Sequence, residues 1–182
     1  KAGRTVEFKE NNAQGDPNNC ATIANSLVAS DVDLIMANAT PSLQSVYNAT
    51  EVIPILGTSI TEYGTALGIE NFNGVVGNNA SGTSDLAPLE EQAQMILDLL
   101  PNATKVGLIY CSSEPNSTYQ VKVVEDYLKA KNIDVKRYSF VDSTDIYSIA
   151  LNASLNCDAI YIPTDNTAAS NASLIDSACR ND

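Results

Sequence analysis

Two carboxylates stand where an apolar run gives way to a helix-like pattern: Glu114 in Cys111-Ser-Ser-Glu-Pro-Asn-Ser117 and Asp165 in Ala159-Ile-Tyr-Ile-Pro-Thr-Asp-Asn166. Short polar side chains surround both, with Ser113, Asn116 and Ser117 beside the first and Thr164 and Asn166 beside the second. A third junction, Leu34-Ile-Met-Ala-Asn-Ala-Thr-Pro41, opens a helix at Thr40 and Pro41 without a carboxylate. A carboxylate accepts from an ammonium, whereas hydroxyls, amides and the unpaired N–H groups of a helix N-terminus donate to a carboxylate. The three junctions together therefore suit a zwitterion. One of Glu114 and Asp165 is expected to take its ammonium, with Thr40, Ser113, Asn116 and Ser117 as donors to its carboxylate. Helix capping competes for Thr40, Ser113 and Asp165, since these residue types lead the cap ranking. Ser59 and Thr61, after the apolar run 52–56, are weaker candidates that turn formation explains more simply. Tyr63, Tyr110 and Tyr161 could stack on an aromatic ligand, although the last two lie inside strand patterns and read as core.

Other chemistry is narrowed by what the chain lacks. It has no histidine, so Ser-His and Cys-His nucleophile pairs are impossible. Its four cysteines, Cys20, Cys111, Cys157 and Cys179, form no C-x-x-C pair, which argues against a structural zinc site and predicts no metal. They read as small buried hydrophobes, or as disulfide partners if the protein is exported. No G-x-G-x-x-G or G-x-x-x-x-G-K-[ST] occurs, so a nucleotide cofactor has no cradle and none is expected. Glu114 and Asp165 could do acid–base work, but binding is the stronger reading and an enzyme is not expected. Ten Lys and Arg against 22 Asp and Glu give a net charge of −12, which disfavours nucleic acid and anionic membrane as partners. No apolar run is long enough to span a bilayer. The opening Lys1-Ala-Gly-Arg4 has neither Met nor an apolar signal core and reads as a processed or truncated end.

The elements that must position these residues alternate. Asp16-Pro17 starts a helix to about Ser30, followed by a strand over 32–37, a short helix from Thr40-Pro41 to about Asn48, and an apolar run at 52–56. Residues 57–73, rich in Gly and Thr, read as loop; 74–77 read as a short strand and 78–85 as a polar, flexible stretch before a helix bearing Leu89, Ala93, Ile96, Leu97 and Leu100. Beyond it, strands at 106–110, 135–140 and 159–162 alternate with helices at 116–131, 143–155 and 167–179. Such alternation predicts a parallel sheet with helices on both faces. The composition shift places one lobe at 1–80 and a second at 81–182, with Gly82, Thr83, Ser84 and Asp85 as hinge. Ser84-Asp85 also offer a cap for the Leu89 helix.

The set Asn12-Ala-Gln-Gly-Asp16, Val32-Asp-Leu-Ile35 with Ala39-Thr-Pro41, Ser81-Gly-Thr-Ser-Asp85, Leu100-Pro-Asn-Ala103, Ser112-Ser-Glu-Pro-Asn-Ser117 and Asp158 to Thr167 occurs in an order and spacing that resembles the ABC transporter substrate-binding proteins of the tryptophan/tyrosine-type uptake family. The resemblance implies a type I periplasmic-binding α/β fold: two Rossmann-like lobes with parallel sheets, gripping an amino acid, often aromatic, between them. It also implies a permease partner and an extracytoplasmic location, periplasmic or lipid-anchored. Against this pattern the chain reads as truncated at both ends, lacking the first strand and helix and two of three hinge crossings. The family usually has Gly where Ala39 stands and Asp-Pro where Glu62-Tyr63 stand. A ligand-sensing domain of a regulator or sensor kinase, which shares the fold, is the alternative function.

Overall fold

A computed structural model describes residue 3 and residues 5–180; Lys1, Ala2 and Arg4, within the start read as processed or truncated, and Asn181 and Asp182 lie outside the described residues. The chain runs α1 (Pro17–Ala29), β1 (Ile35–Asn38), α2 (Thr40–Ala49), β2 (Ile55–Ile60), α3 (Tyr63–Leu67) and β3 (Ala80–Ser84), and then α4 (Leu89–Leu99), β4 (Lys105–Cys111), α5 (Pro115–Ala130), β5 (Asp134–Phe140), α6 (Ile146–Asn156), β6 (Ala159–Tyr161), α7 (Asn166–Ser170) and α8 (Ala172–Arg180). The strands form two separate parallel sheets, in the orders β1-β2-β3 and β5-β4-β6.

The second sheet shows why its central strand reads as one apolar run. In β4 alternate side chains serve opposite layers: Val106, Leu108 and Tyr110 pack with Leu89, Val121, Val124 and Leu128 of α4 and α5, while Ile109 and Cys111 pack with Ile146, Ala150, Ile175 and Ala178 of α6 and α8. Helices on both faces leave no solvated side, so no polar alternation survives in the sequence. The first sheet buries Ile35, Ala37, Ile55 and Ile60 beneath Leu43 and Val46 of α2 and Ala24 of α1, whereas Met36 and Leu56 on its other face are exposed.

Several expected boundaries move. The stretch 57–73 is not all loop, because β2 continues through Ile60 and α3 follows. A register shift between Gly57 and Ile60, with Ser59 at φ 54°, hides that continuation from a simple alternation reading. Residues 74–77 form no strand; the strand is β3, in the polar stretch expected to be flexible, and its backbone pairs with β2. Side chains with little apolar surface are tolerated there because Tyr63 lies across Gly57 and Gly82, where a Cβ on Gly82 would overlap the Gly57 carbonyl oxygen and the Tyr63 hydroxyl. Tyr63 is thus buried core rather than a stacking surface. Gly82, Thr83 and Ser84 belong to the first sheet, the Asp85 N–H donates to the Ile60 carbonyl, and the chain crosses to the second sheet over 85–88. Ser84 does not cap α4: its hydroxyl donates to the Thr61 carbonyl, and the position before α4 is Pro88. The helix expected over 167–179 is two, broken at Asn171.

Candidate functional site

The carboxyl ends of β4 and β6 are stitched together by the residues singled out from the sequence. Glu114 precedes α5 but does not cap it. Its carboxylate instead reaches α7, accepting from the N–H groups of Asn166 and Thr167, each at 2.9 Å, and from the Asn166 Nδ2 and Thr167 Oγ1, each at 2.8 Å. Asp165 returns the tie: one oxygen accepts from the Cys111 N–H at 2.6 Å and the other caps α7 through the Ala168 N–H at 2.7 Å. Both carboxylates are buried, at 6 % and 3 % exposure. Neither takes part in any of the five ion pairs among the described residues.

Their titration differs for a structural reason. Burial pushes the Glu114 carboxyl up, but the donors from Asn166 and Thr167 outweigh it and hold the group below the usual Glu range. At Asp165 burial dominates, the neighbouring charge of Glu114 adds to it, and the Ala168, Cys111 and Ser117 donors do not compensate, so the carboxyl lies above the usual Asp range. The pair is a buried acidic site that no cation among the described residues joins.

Asn116, at 3 % exposure, was expected to donate to a ligand carboxylate. Its Nδ2 donates to the Thr164 carbonyl at 2.9 Å and to the Glu114 carboxylate at 3.3 Å, and its Oδ1 is a buried acceptor with no partner. Ser113 is also tied off, its hydroxyl donating to the Val141 carbonyl at 3.2 Å. Ser117 is fully buried behind Asn116, while Thr164 and Asn166 are exposed. One further residue belongs to the cluster. Gln120 donates to the Thr164 and Asn116 carbonyls and accepts from the Thr164 N–H. Its signal in the sequence is a polar residue on the stripe Ser117, Val121, Val124 and Leu128 that α5 buries.

The first sheet presents the opposite polarity. α2 begins at Thr40-Pro41 after Ala39, which has φ 72° and ψ 156° and gives α2 no side-chain cap. That conformation strongly favours glycine. α3, by contrast, is capped by Glu62, which accepts from the Gly64 and Thr65 N–H groups at 2.8 and 2.6 Å; those donors outweigh burial and hold its carboxyl below the usual range. Thr40 and Thr61 are buried, Ser59 is exposed on the bulge, and the Ala39 N–H bonded to the Thr58 carbonyl keeps the ends of β1 and β2 adjacent. A cavity of about 420 Å3 between α3 with its following loop and α5 is lined by Glu62, Glu70 and Phe72 on one side and by Tyr119 on the other. Phe72 and Tyr119, not the buried Tyr63, Tyr110 and Tyr161, are the aromatic groups facing this space.

Comparison with known proteins agrees with this architecture. The model of the ABC transporter substrate binding protein family matches residues 1–181, and the chain belongs to that family. It is 35 % identical over 178 residues to the tyrosine-binding protein of Clostridioides difficile strain R20291, covering 96 % of this chain and 50 % of the relative. Two solved structures are similar over their shared length. One is an ABC domain from Streptococcus pneumonia in complex with L-Trp, with TM-score 0.91, 31 % identity and coverage of 97 % of this chain and 61 % of that one. The other is a ligand-free, open substrate-binding protein with adhesive properties from Clostridium difficile, with TM-score 0.60, 30 % identity and coverage of 100 % and 61 %. A leucine-binding protein from Thermotoga maritima, 18 % identical with TM-score 0.64, shows the periplasmic-binding fold alone. The chain spans about half the length of the curated relative it matches.

Proposed function

We propose that this chain forms part of an extracytoplasmic solute-binding receptor of an ABC importer whose ligand is a free L-amino acid, with aromatic side chains favoured. The observation that carries the reading is the polarity of the strand ends. The Glu114–Asp165 pair in the second lobe is buried and takes part in no ion pair among the described residues. A ligand ammonium supplies the missing charge beside Asp165 and the unpaired Asn116 Oδ1. The first lobe offers a helix start with no carboxylate cap, at α2 with Thr40 and Pro41, where an α-carboxylate is stabilised by helix N–H groups. α7 is a poor second choice for that carboxylate because Glu114 and Asp165 already occupy its first N–H groups.

The aromatic preference is supported by Phe72 and Tyr119 lining the cavity between the lobes, and by relatives described as binding tyrosine and L-Trp. Binding, not turnover, is the activity this site suits. The implied partner is a membrane permease and the implied location is periplasmic or lipid-anchored; among the described residues no helix is long and apolar enough to cross a membrane. A thermal-shift screen of the full-length protein with the twenty amino acids, nucleosides and simple sugars tests the reading. Tyrosine or tryptophan at about 100 times its dissociation constant should add roughly 2.7 kcal/mol of stability. Stabilisation by sugars or nucleosides and by no amino acid would overturn it.

A further inference from the structure

We infer that Gln120 is a positioning residue of the ligand site: its carboxamide grips both main-chain groups of Thr164 and so holds the 163–167 turn, which carries Thr164, Asp165 and Asn166, against α5. The inference deepens the binding reading above and rests on it for its effect on affinity. Pairing between β6 and β4 ends with Leu108 opposite Tyr161, so no strand ladder holds the chain beyond that point. As Glu114 does at Asn166 and Thr167, Gln120 supplies the substitute at Thr164. Its Oε1 accepts from the Thr164 N–H at 3.1 Å and its Nε2 donates to the Thr164 carbonyl at 3.0 Å, the two-point pairing that a neighbouring strand would have given. The side chain is 1 % exposed, at a stripe position where an apolar residue would avoid desolvation, and its remaining donor capacity goes to the Asn116 carbonyl at 3.1 Å. The Thr164 carbonyl also accepts from the Asn116 Nδ2, so this peptide group, together with the Glu114 carboxylate that accepts from the same nitrogen at 3.3 Å, orients the Asn116 amide with its Oδ1 left free to meet a ligand donor.

The test uses the full-length protein with Gln120→Met, which keeps length and shape but drops both bonds to Thr164. Gln92→Met serves as a control: Gln92, on α4, accepts from the Tyr161 hydroxyl and makes none of the hydrogen bonds to the 163–167 turn. Dissociation constants for L-tyrosine and L-tryptophan are measured by calorimetry well below the melting temperature. We expect Gln120→Met to weaken both by about tenfold or more while Gln92→Met stays within about twofold of the parent. Amide exchange should show Thr164 strongly protected in the parent and deprotected in Gln120→Met, with the α1–α2 amides unchanged. Affinity retained in a folded Gln120→Met protein, or a parent Thr164 amide exchanging as fast as exposed loop amides, would refute the inference. The parent exchange measurement needs no variant to fold. If the parent binds no amino acid the functional reading falls, and the exchange data still decide the role of Gln120.

Discussion

Glu114 acts at a distance from its own helix. A carboxylate in the cap position of α5 satisfies the first N–H groups of α7, and Asp165 ties that turn back to Cys111. Hydrogen bonds to a charged acceptor contribute about 1.5–3 kcal/mol each, but they are not additive, so Glu114→Gln should lower stability by roughly 2–3 kcal/mol at neutral pH in chemical denaturation. The pH dependence gives the sign. Glu114 titrates below its unfolded value, so its contribution is present above that value and is lost as pH falls through the lower folded one. The gap between parent and Glu114→Gln should therefore close on acidification; a gap that widens towards acid would contradict the geometry. Asp165 works the other way, since its raised carboxyl favours the protonated folded state and opposes folding as pH rises through the folded value.

At the scale of elements, the β2–β3 pair depends on the fit of Tyr63 over two glycines. A Cβ on Gly57 would meet mainly the Tyr63 hydroxyl end, with Ile60 in tighter than ordinary contact, whereas one on Gly82 would also meet the backbone carbonyl of Gly57. Overpacking of this kind costs about 1–3 kcal/mol. Gly57→Ala should thus be largely rescued by Tyr63→Phe, which removes the obstructing oxygen and forfeits only a long hydrogen bond to the Thr83 carbonyl. Gly82→Ala should not be rescued, because the peptide of Gly57 cannot withdraw without breaking the sheet. A double-mutant cycle on thermal unfolding separates the two, and equal rescue at both positions would mean that the strands are free to part.

For the whole molecule the question is how the two sheets are held relative to one another. At nearly equal identity the chain matches the structure described as an L-Trp complex with TM-score 0.91 and the one described as ligand-free and open with 0.60. As a whole the chain thus superposes better on the structure described as a complex. The covalent link is residues 85–88, where Asp85 and Pro88 are exposed, and the lobes also meet where α3 approaches α5. Limited proteolysis of the 182-residue chain should cut first at 85–88 rather than in the paired residues 80–84. A first cut within 80–84 would show that β3 is not held by β2 in solution.

The alternation from α4 to β6, the parallel second sheet and the polar strand ends at 111–117 and 159–166 were legible because each rests on local chemistry: an apolar run long enough to be buried on both faces, then Pro with Ser, Asn or Asp to open a helix. The family was legible as a resemblance, a set of motifs in order and spacing, and the family model matches residues 1–181. β3 was not, because Ser81-Gly-Thr-Ser84 has no apolar signal of its own and becomes a strand only when Tyr63 covers Gly82 and β2 lends its edge. Nor could the sequence say which atoms of Glu114, Asn116 and Asp165 remain free, since hydrogen bonds between residues some fifty positions apart form only once β4 and β6 lie side by side. Residue types are local, but the spending of each donor and acceptor is a property of the packed chain, and it is that accounting that leaves a buried negative pair in one lobe and an uncapped helix start in the other.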